Sequence, residues 1–285
     1  MSPYPGVSAE LRSRLPLDAA RADASTYLSA FRASAELLLN QCTLQVAGRP
    51  HRLTEVEFYW TDKRHPDPFT HGDPMQREFG RWYFHRRGNT YKGGTYKGLD
   101  IAVGGPERTA GILLRGIEDV ATGERIDGSC SIVDRLLALC TPKAGTSTVA
   151  ALAEQVAAID PPTPQGSLLA LELATPGPAR PLFASARVGL TLKRGADPAR
   201  CAYLGRHYRY VVEPKRLRKG RLHVVLAAHQ AGLDQETLHR LTGVARGPIA
   251  RYIAAFEAGR SREPGDYCRA LKTAELCELF GALAR

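Results

Sequence analysis

The chain has 285 residues, 44% hydrophobic and 24% charged, ordinary values for a soluble globular protein of one large domain or about two smaller ones. No stretch reaches the length of a membrane span and "MSPYPGVSAELRSRLP" lacks an apolar signal core, so a cytoplasmic, nucleoid-associated location is expected. The net charge of +10 is concentrated in two segments. Residues 77–97 carry six Lys/Arg against one acid, and residues 200–221 eight against one, leaving a near-neutral remainder. That distribution predicts a footprint for a polyanion such as duplex DNA, with Arg86, Arg87, Lys92, Lys97, Lys215, Arg216, Arg218 and Lys219 as its contacts. The six cysteines are scattered without metal-finger spacing and are read as apolar fillers of a reduced compartment.

In chain order, residues 24–41 read as an amphipathic helix with Leu28, Phe31, Leu38 and Leu39 on its apolar side, followed by a strand at 42–47. The stretch "LTEVEFYW" (53–60) alternates as a strand. It sets Thr54, Val56, Phe58 and Trp60 on one face and Leu53, Glu55, Glu57 and Tyr59 on the other, which pattern alone reads as a solvated outer face. A long polar loop leads to the glycine-turned hairpin "YFHRRGNTYKGGTYKGLDIAVGG". "AGILLRGIED" is an apolar strand interrupted by Arg115. Helices at 130–140 and 146–159 precede the proline-rich "DPPTPQGSLLALELATPGPARP", read as surface loops, and strands at 186–193 and near 207–213.

From about Lys215 short helices take over. Residues 233–256 have helix-turn-helix spacing, one helix ending near Leu241 and another opened by Pro248, with Leu238, Val244, Ile249 and Ile253 inside. Arg246 and Arg251 would then face DNA, and the alternative is a packing bundle without groove contact. The fold class is α+β: a curved antiparallel sheet with flanking helices (24–214), then a small helical domain (215–285).

Arg115 cannot lose its proton, so a buried guanidinium there requires an anion, and Glu57 is the candidate. Tyr59, His71, Tyr91 and Tyr96 supply rings able to stack on a nucleobase. In the order of these residues, the span Ala33–Tyr210 resembles the alkyladenine (3-methyladenine) DNA glycosylases of the mammalian type. "SAELLLNQCTL" looks like the leading helix and first strand, and "LTEVEFYW" like the strand bearing the catalytic glutamate and a base-stacking tyrosine. "THGDP" sits where the family has its base-stacking histidine, and "GILLRGIED" is similar to the strand whose arginine helps hold the attacking water. "DGSCSIVDRLLAL" resembles the glycine-rich opening of the next helix, and "SARVGLTL" the late strand whose backbone borders the site.

The resemblance implies Glu57 and Arg115 as catalytic residues, Tyr59 and His71 as base-holding rings, and Tyr91 or Tyr96 as a residue wedged into the duplex. Asp100 falls where the family carries an asparagine that helps admit or reject bases. Two departures stand out: fourteen residues separate Glu57 from His71, and the tail after Lys215 lies outside the resemblance. The implied reaction is monofunctional excision of a flipped damaged or modified base by Glu57-activated water, with no metal or cofactor and no lysine beside Glu57 for a lyase step. The choice of Glu57 over Glu55 rests on the resemblance. Two other functions compete: a metal-dependent nuclease or phosphodiesterase built on Asp62, His65, Asp67, His71 and Asp73, and a non-catalytic DNA-binding regulator.

Overall fold

The computed structural model describes residues 6–17, 22–140, 148–161, 166–173 and 178–284. It divides into two compact units. One gathers the described residues up to Pro66 and from Thr70 to Arg180; the other combines Asp67–Phe69 with the residues from Pro181 onward. The fold class is α+β, with a large antiparallel sheet, flanking helices and C-terminal helices.

In the first unit the elements are α1 (Val7–Arg14), α2 (Ala24–Asn40), β1 (Cys42–Val46), β2 (Arg49–Thr61), β3 (Arg81–Phe84), β4 (Arg86–Arg87), β5 (Thr90–Tyr91), β6 (Leu99–Ala102), β7 (Thr109–Asp119), β8 (Arg125–Asp127), α3 (Ser129–Cys140), α4 (Val149–Gln155) and β9 (Leu169–Leu173). Its strands pair antiparallel in the order β9-β1-β2-β7-β6-β3, with β8 beside the second half of β7. Asp23 starts α2 by accepting from the Thr26 N–H at 2.8 Å, which satisfies one of the helix's orphan donors. Phe31, Leu38 and Leu39 are buried as expected, but Leu28 is turned outward and Tyr27 takes its place in the core. Phe31 stacks on Phe58 at 4.7 Å between ring centroids, and Tyr27 meets Trp60 edge-on at 6.0 Å, so the apolar side of β2 is closed by α2.

Several strand expectations need correction. The proline-rich stretch contains β9, whose Leu169, Ala170 and Leu171 are buried through pairing with β1; its residues 162–165 and 174–177 lie outside the described ones. The expected helix over 146–159 is the shorter α4, and residues 146 and 147 also lie outside.

The second unit holds β10 (Leu182–Ser185), α5 (Pro198–Leu204), β11 (Arg209–Val212), α6 (Arg221–Gln230), α7 (Gln235–Thr242), α8 (Arg246–Gly259) and α9 (Thr273–Leu283). No strand covers 186–193. The run leaves extended structure because Arg187 is fully buried against Asp67, with Nη1 to Oδ2 at 2.6 Å, and because Gly189 adopts φ +88°. This pair also ties Asp67–Phe69 to the second unit. The sequence break expected near 215 lies inside that unit, since Val211 and Phe183 of the β10/β11 pair share a cluster with Leu217 and Val224.

The helix-turn-helix spacing is realised as three helices, α6, α7 and α8. Val225, Leu238 and Ile249 form their buried centre with Val244 and Ile253 packed against it, so the four internal residues expected from spacing are all present. Asp234 caps α7 through the Thr237 N–H at 2.8 Å, and Gly243 ends it at φ +67°. Pro248 lies in the first turn of α8 rather than at its first position. Farther along, α8 meets α9 closely: a Cβ on Gly259 would strike the Glu278 carbonyl, and one on Gly281 the Phe256 carbonyl.

Candidate functional site

The β2/β7 ladder contains two compensating bulges, and they determine which side chains face the site. Leu53 pairs with Ile117 and Glu55 with Gly116, leaving Thr54 as an extra residue on β2; Val56 then pairs with Leu114, leaving Arg115 as the extra residue on β7. Leu53 is thereby moved to the face of Val56, Phe58 and Trp60, correcting the simple alternation. Glu55, Glu57 and Tyr59 remain together on the opposite face. The Gly128 N–H donates to the Arg115 carbonyl at 2.7 Å and fixes the β7 bulge at the start of α3.

That face is not a solvated one. Glu57 is 0% exposed and Glu55 1%, and the bulged Arg115 serves both: its Nε lies 2.8 Å from Glu55 Oε1 and 3.3 Å from Glu57 Oε1. Burial opposes the guanidinium charge, but the Glu57 and Glu55 carboxylates outweigh it and hold Arg115 firmly protonated. The Tyr59 hydroxyl donates to Glu57 Oε2 at 2.9 Å. Tyr59 therefore orients the glutamate, while its half-buried ring remains available as a stacking surface.

The same row continues across the sheet. Glu57 pairs with Leu113, Leu113 with Asp100, and Asp100 with Tyr83, so these four residues lie side by side on one face of four strands. Two strand spacings put Glu57 and Asp100 roughly 10 Å apart at Cα. Gly111, opposite Tyr59, has no side chain to block the bond from Gln76 Nε2 to Asp100 Oδ2 at 3.3 Å. The other oxygen of Asp100 accepts from His85 Nε2 at 2.8 Å. Both Asp100 oxygens are thus engaged, and the residue is 2% exposed.

His71 joins this second cluster. Its ring stands across that of His85, centroids 4.3 Å apart at 76°, and accepts at Nε2 from Lys92 Nζ at 3.1 Å. Its Nδ1 lies 3.4 Å from the Tyr83 hydroxyl, so the neutral ring carries its proton on Nδ1. Crowding by neighbouring atoms, then the charge of His85, pushes the His71 pKa down to about 4 although one edge stays exposed. Burial likewise pushes the Tyr83 phenol up and the Lys92 ammonium down.

The hairpin separates its two tyrosines. Tyr91 pairs with Arg86 in the short β4/β5 ladder, whereas Tyr96, on a single 3-10 turn after Gly93, is 77% exposed. Arg86 is held bidentate by Asp73 at 2.7 and 2.8 Å; burial works to raise the Asp73 carboxyl, and Arg86 holds it below its ordinary range. Lys97 is paired with Asp134, Arg216 with Glu213 and Arg246 with Glu236, while Arg87, Lys215, Arg218, Lys219 and Arg251 are exposed. A Cβ on Gly243 would lie 3.1 Å from Lys215 Cγ, so the basic segment after β11 adjoins the α7–α8 turn.

The metal-ligand set does not assemble. Asp62 accepts from Trp60 Nε1 at 2.6 Å, buried His65 bonds the Trp60 carbonyl, Asp67 holds Arg187 and Asp73 holds Arg86. Among the described residues no three His, Cys, Asp or Glu side chains are grouped to hold an ion.

Sequence reasoning missed His85, Tyr83 and Gln76. The signal for two of them was the period of two from Tyr83 to His85, which returns both side chains to one face of the hairpin stem. No such signal existed for Gln76, whose place depends on the fold of the polar loop.

No family model matches the chain. Over 117 residues it is 41% identical to an uncharacterized protein of Acanthamoeba polyphaga mimivirus, a match covering 36% of this chain and 54% of the relative. The chain thus spans about half the length of that curated relative, whose name assigns no activity. No helix among the described residues is long and apolar enough to cross a membrane.

Proposed function

We propose that the protein is a monofunctional DNA glycosylase that hydrolyses the N-glycosidic bond of a damaged or modified base flipped out of duplex DNA. The observation that carries this reading is the setting of Glu57: a buried carboxylate aimed by Tyr59, neutralised by an arginine that a bulge turns toward it, on the face that also bears Asp100 and its partner His85. A carboxylate so placed takes a proton from water attacking the anomeric carbon and stabilises the positive charge developing on the sugar. Arg115 keeps Glu55 and Glu57 from repelling one another. His71, neutral near pH 7, and Tyr59 offer π-faces to the base, and the exposed Tyr96 is the ring suited to fill the gap it leaves. The trihelical module and the adjoining basic segment supply phosphate contacts on the second unit. This is the chemistry implied by the alkyladenine glycosylase resemblance.

The deciding experiment presents the full chain with duplexes that each carry a different single modified base and scores abasic product. Release of at least one base by wild type, and none by Glu57→Gln, supports the reading. Absence of abasic product from every duplex, or strand cleavage abolished by chelator, overturns it.

A further inference from the structure

Three polar side chains converge on a cleft in the second unit. The cleft has a volume of about 350 Å³, mouth included, and lies among α6, α8 and α9. Small residues leave it open: Ala227 on α6, Gly205 after α5 and Ala284 after α9. Phe256 of α8 and Phe280 of α9 supply aromatic wall. On α6 the lining residues His223, Ala227 and Gln230 are spaced four and three apart, so one stripe of the helix faces the space. Val225, on the opposite side of α6, enters the centre of the trihelical module.

His223 is 7% exposed and stands edge-on to Phe280, ring centroids 5.4 Å apart at 77°. His207, in the turn between α5 and β11, and Gln230, the last residue of α6, have no side-chain hydrogen-bond partner among the described residues. Burial lowers the His207 pKa, so its imidazole is uncharged near pH 7 and offers both a donor and an acceptor, as the Gln230 carboxamide does. No Asp, Glu, Lys or Arg is among the residues lining the cleft. A void left by imperfect packing is apolar and dry. Here two polar groups are left unanswered in an aromatic recess, the usual make-up of a small-molecule site. His207, Ala227 and Gln230 also line a wider, apolar groove beside β10, so the two spaces meet at these residues.

We propose that this cleft binds a small, neutral, planar heterocycle, about the size of a purine, whose adjacent donor and acceptor atoms meet Gln230 and His207 while its ring lies among Phe256, Phe280 and His223. The aromatic wall selects a flat ring, and the absence of a charged lining residue selects an uncharged one. The paired donors and acceptors select a ring that carries both. The assignment does not rest on the glycosylase reading, because every residue of the cleft belongs to the second unit and Glu57 to the first.

Adenine is the probe, compared with indole, which is similar in size but lacks a ring acceptor, and with benzoate, which is anionic. Titrated into the full chain, adenine is expected to shift the ring-proton NMR signals of His207 and His223 saturably and to raise the unfolding midpoint. These signals report the cleft itself, so any adenine held beside Glu57 does not enter the reading. Gln230→Leu, at the half-exposed end of α6, is expected to raise the midpoint of the titration about tenfold, since it removes both hydrogen bonds of the carboxamide. Ala227→Met fills the space without touching either polar group and is expected to weaken adenine at least as much. Indole and benzoate should bind at least tenfold more weakly than adenine. No saturable shift with adenine, or an unchanged titration in both variants, overturns the site. Benzoate or indole binding as tightly as adenine overturns the ligand class. Failure here leaves the excision experiment standing, and failure of the excision experiment leaves this site standing.

Discussion

Glu57 and Asp100 flank Leu113 from opposite sides, each its direct cross-strand partner. One carboxylate is neutralised by arginine and aimed by tyrosine; the other holds a histidine. For Glu57→Gln the expected outcome is loss of excision by two or more orders of magnitude with duplex binding and unfolding midpoint nearly unchanged, because Glu55 still compensates Arg115. Glu55→Gln should retain most activity. Removing Arg115 instead strands two buried carboxylates, and Arg115→Leu is expected to cost about 3–5 kcal/mol of stability, measured by urea unfolding. A fully active Glu57→Gln would sink the assignment.

His71 gives a prediction in pH. Its folded pKa of about 4 lies below the ordinary 6.5, so the unfolded chain binds this proton more readily. Stability therefore rises with pH between about 4 and 6.5, and falls as acid is added through that window. His71→Gln should flatten this part of the profile. Direct titration of the ring by NMR checks the same point, and a midpoint near 6.5 would contradict it.

How much of this was legible in the sequence depends on the range of the interaction. The α2 stripe followed from period except at Leu28, whose place Tyr27 takes, and the internal residues of α7 and α8 followed from local spacing, because each helix buries one stripe against its neighbours. The bulges at Thr54 and Arg115 were not legible, since a bulge is a property of two strands far apart in the chain. The strand expected at 186–193 failed for a similar reason: Arg187 answers to Asp67, 120 residues earlier. That Arg115 needs a carboxylate followed from charge alone and the choice of Glu57 over Glu55 from the resemblance, whereas His85 and Asp100 required the strand partners to be known.

Tyr96 should matter only when DNA is present. At 77% exposure it contributes little to the core, and Tyr96→Ala is expected to change stability by no more than about 0.5 kcal/mol. If its ring fills the gap left by the flipped base, the variant should bind modified duplex more weakly while Tyr91→Ala does not. A fluorescent base analogue opposite the gap, brightened on unstacking, reports which tyrosine enters.

The last prediction separates the cations of the second unit by their existing partners. Arg251 is exposed in the first half of α8, whereas Arg246 is engaged by Glu236 of α7 at 2.7 Å. Surface pairs of this kind are worth little to stability, about 0–1 kcal/mol, but a paired cation releases fewer counterions when it meets phosphate. Arg251→Ala should therefore weaken duplex binding more than Arg246→Ala, and Glu236→Gln should tighten it by freeing Arg246. Neutralising Lys215 and Lys219 together should flatten the salt dependence, with Arg216 adding less because Glu213 already faces it. Single-turnover excision at saturating enzyme should be the same in all of these variants, since none lies on the sheet face that carries Glu57. Unchanged binding across the series would mean that the trihelical module only packs. A slowed rate at saturation would instead give the second unit a part in shaping the site.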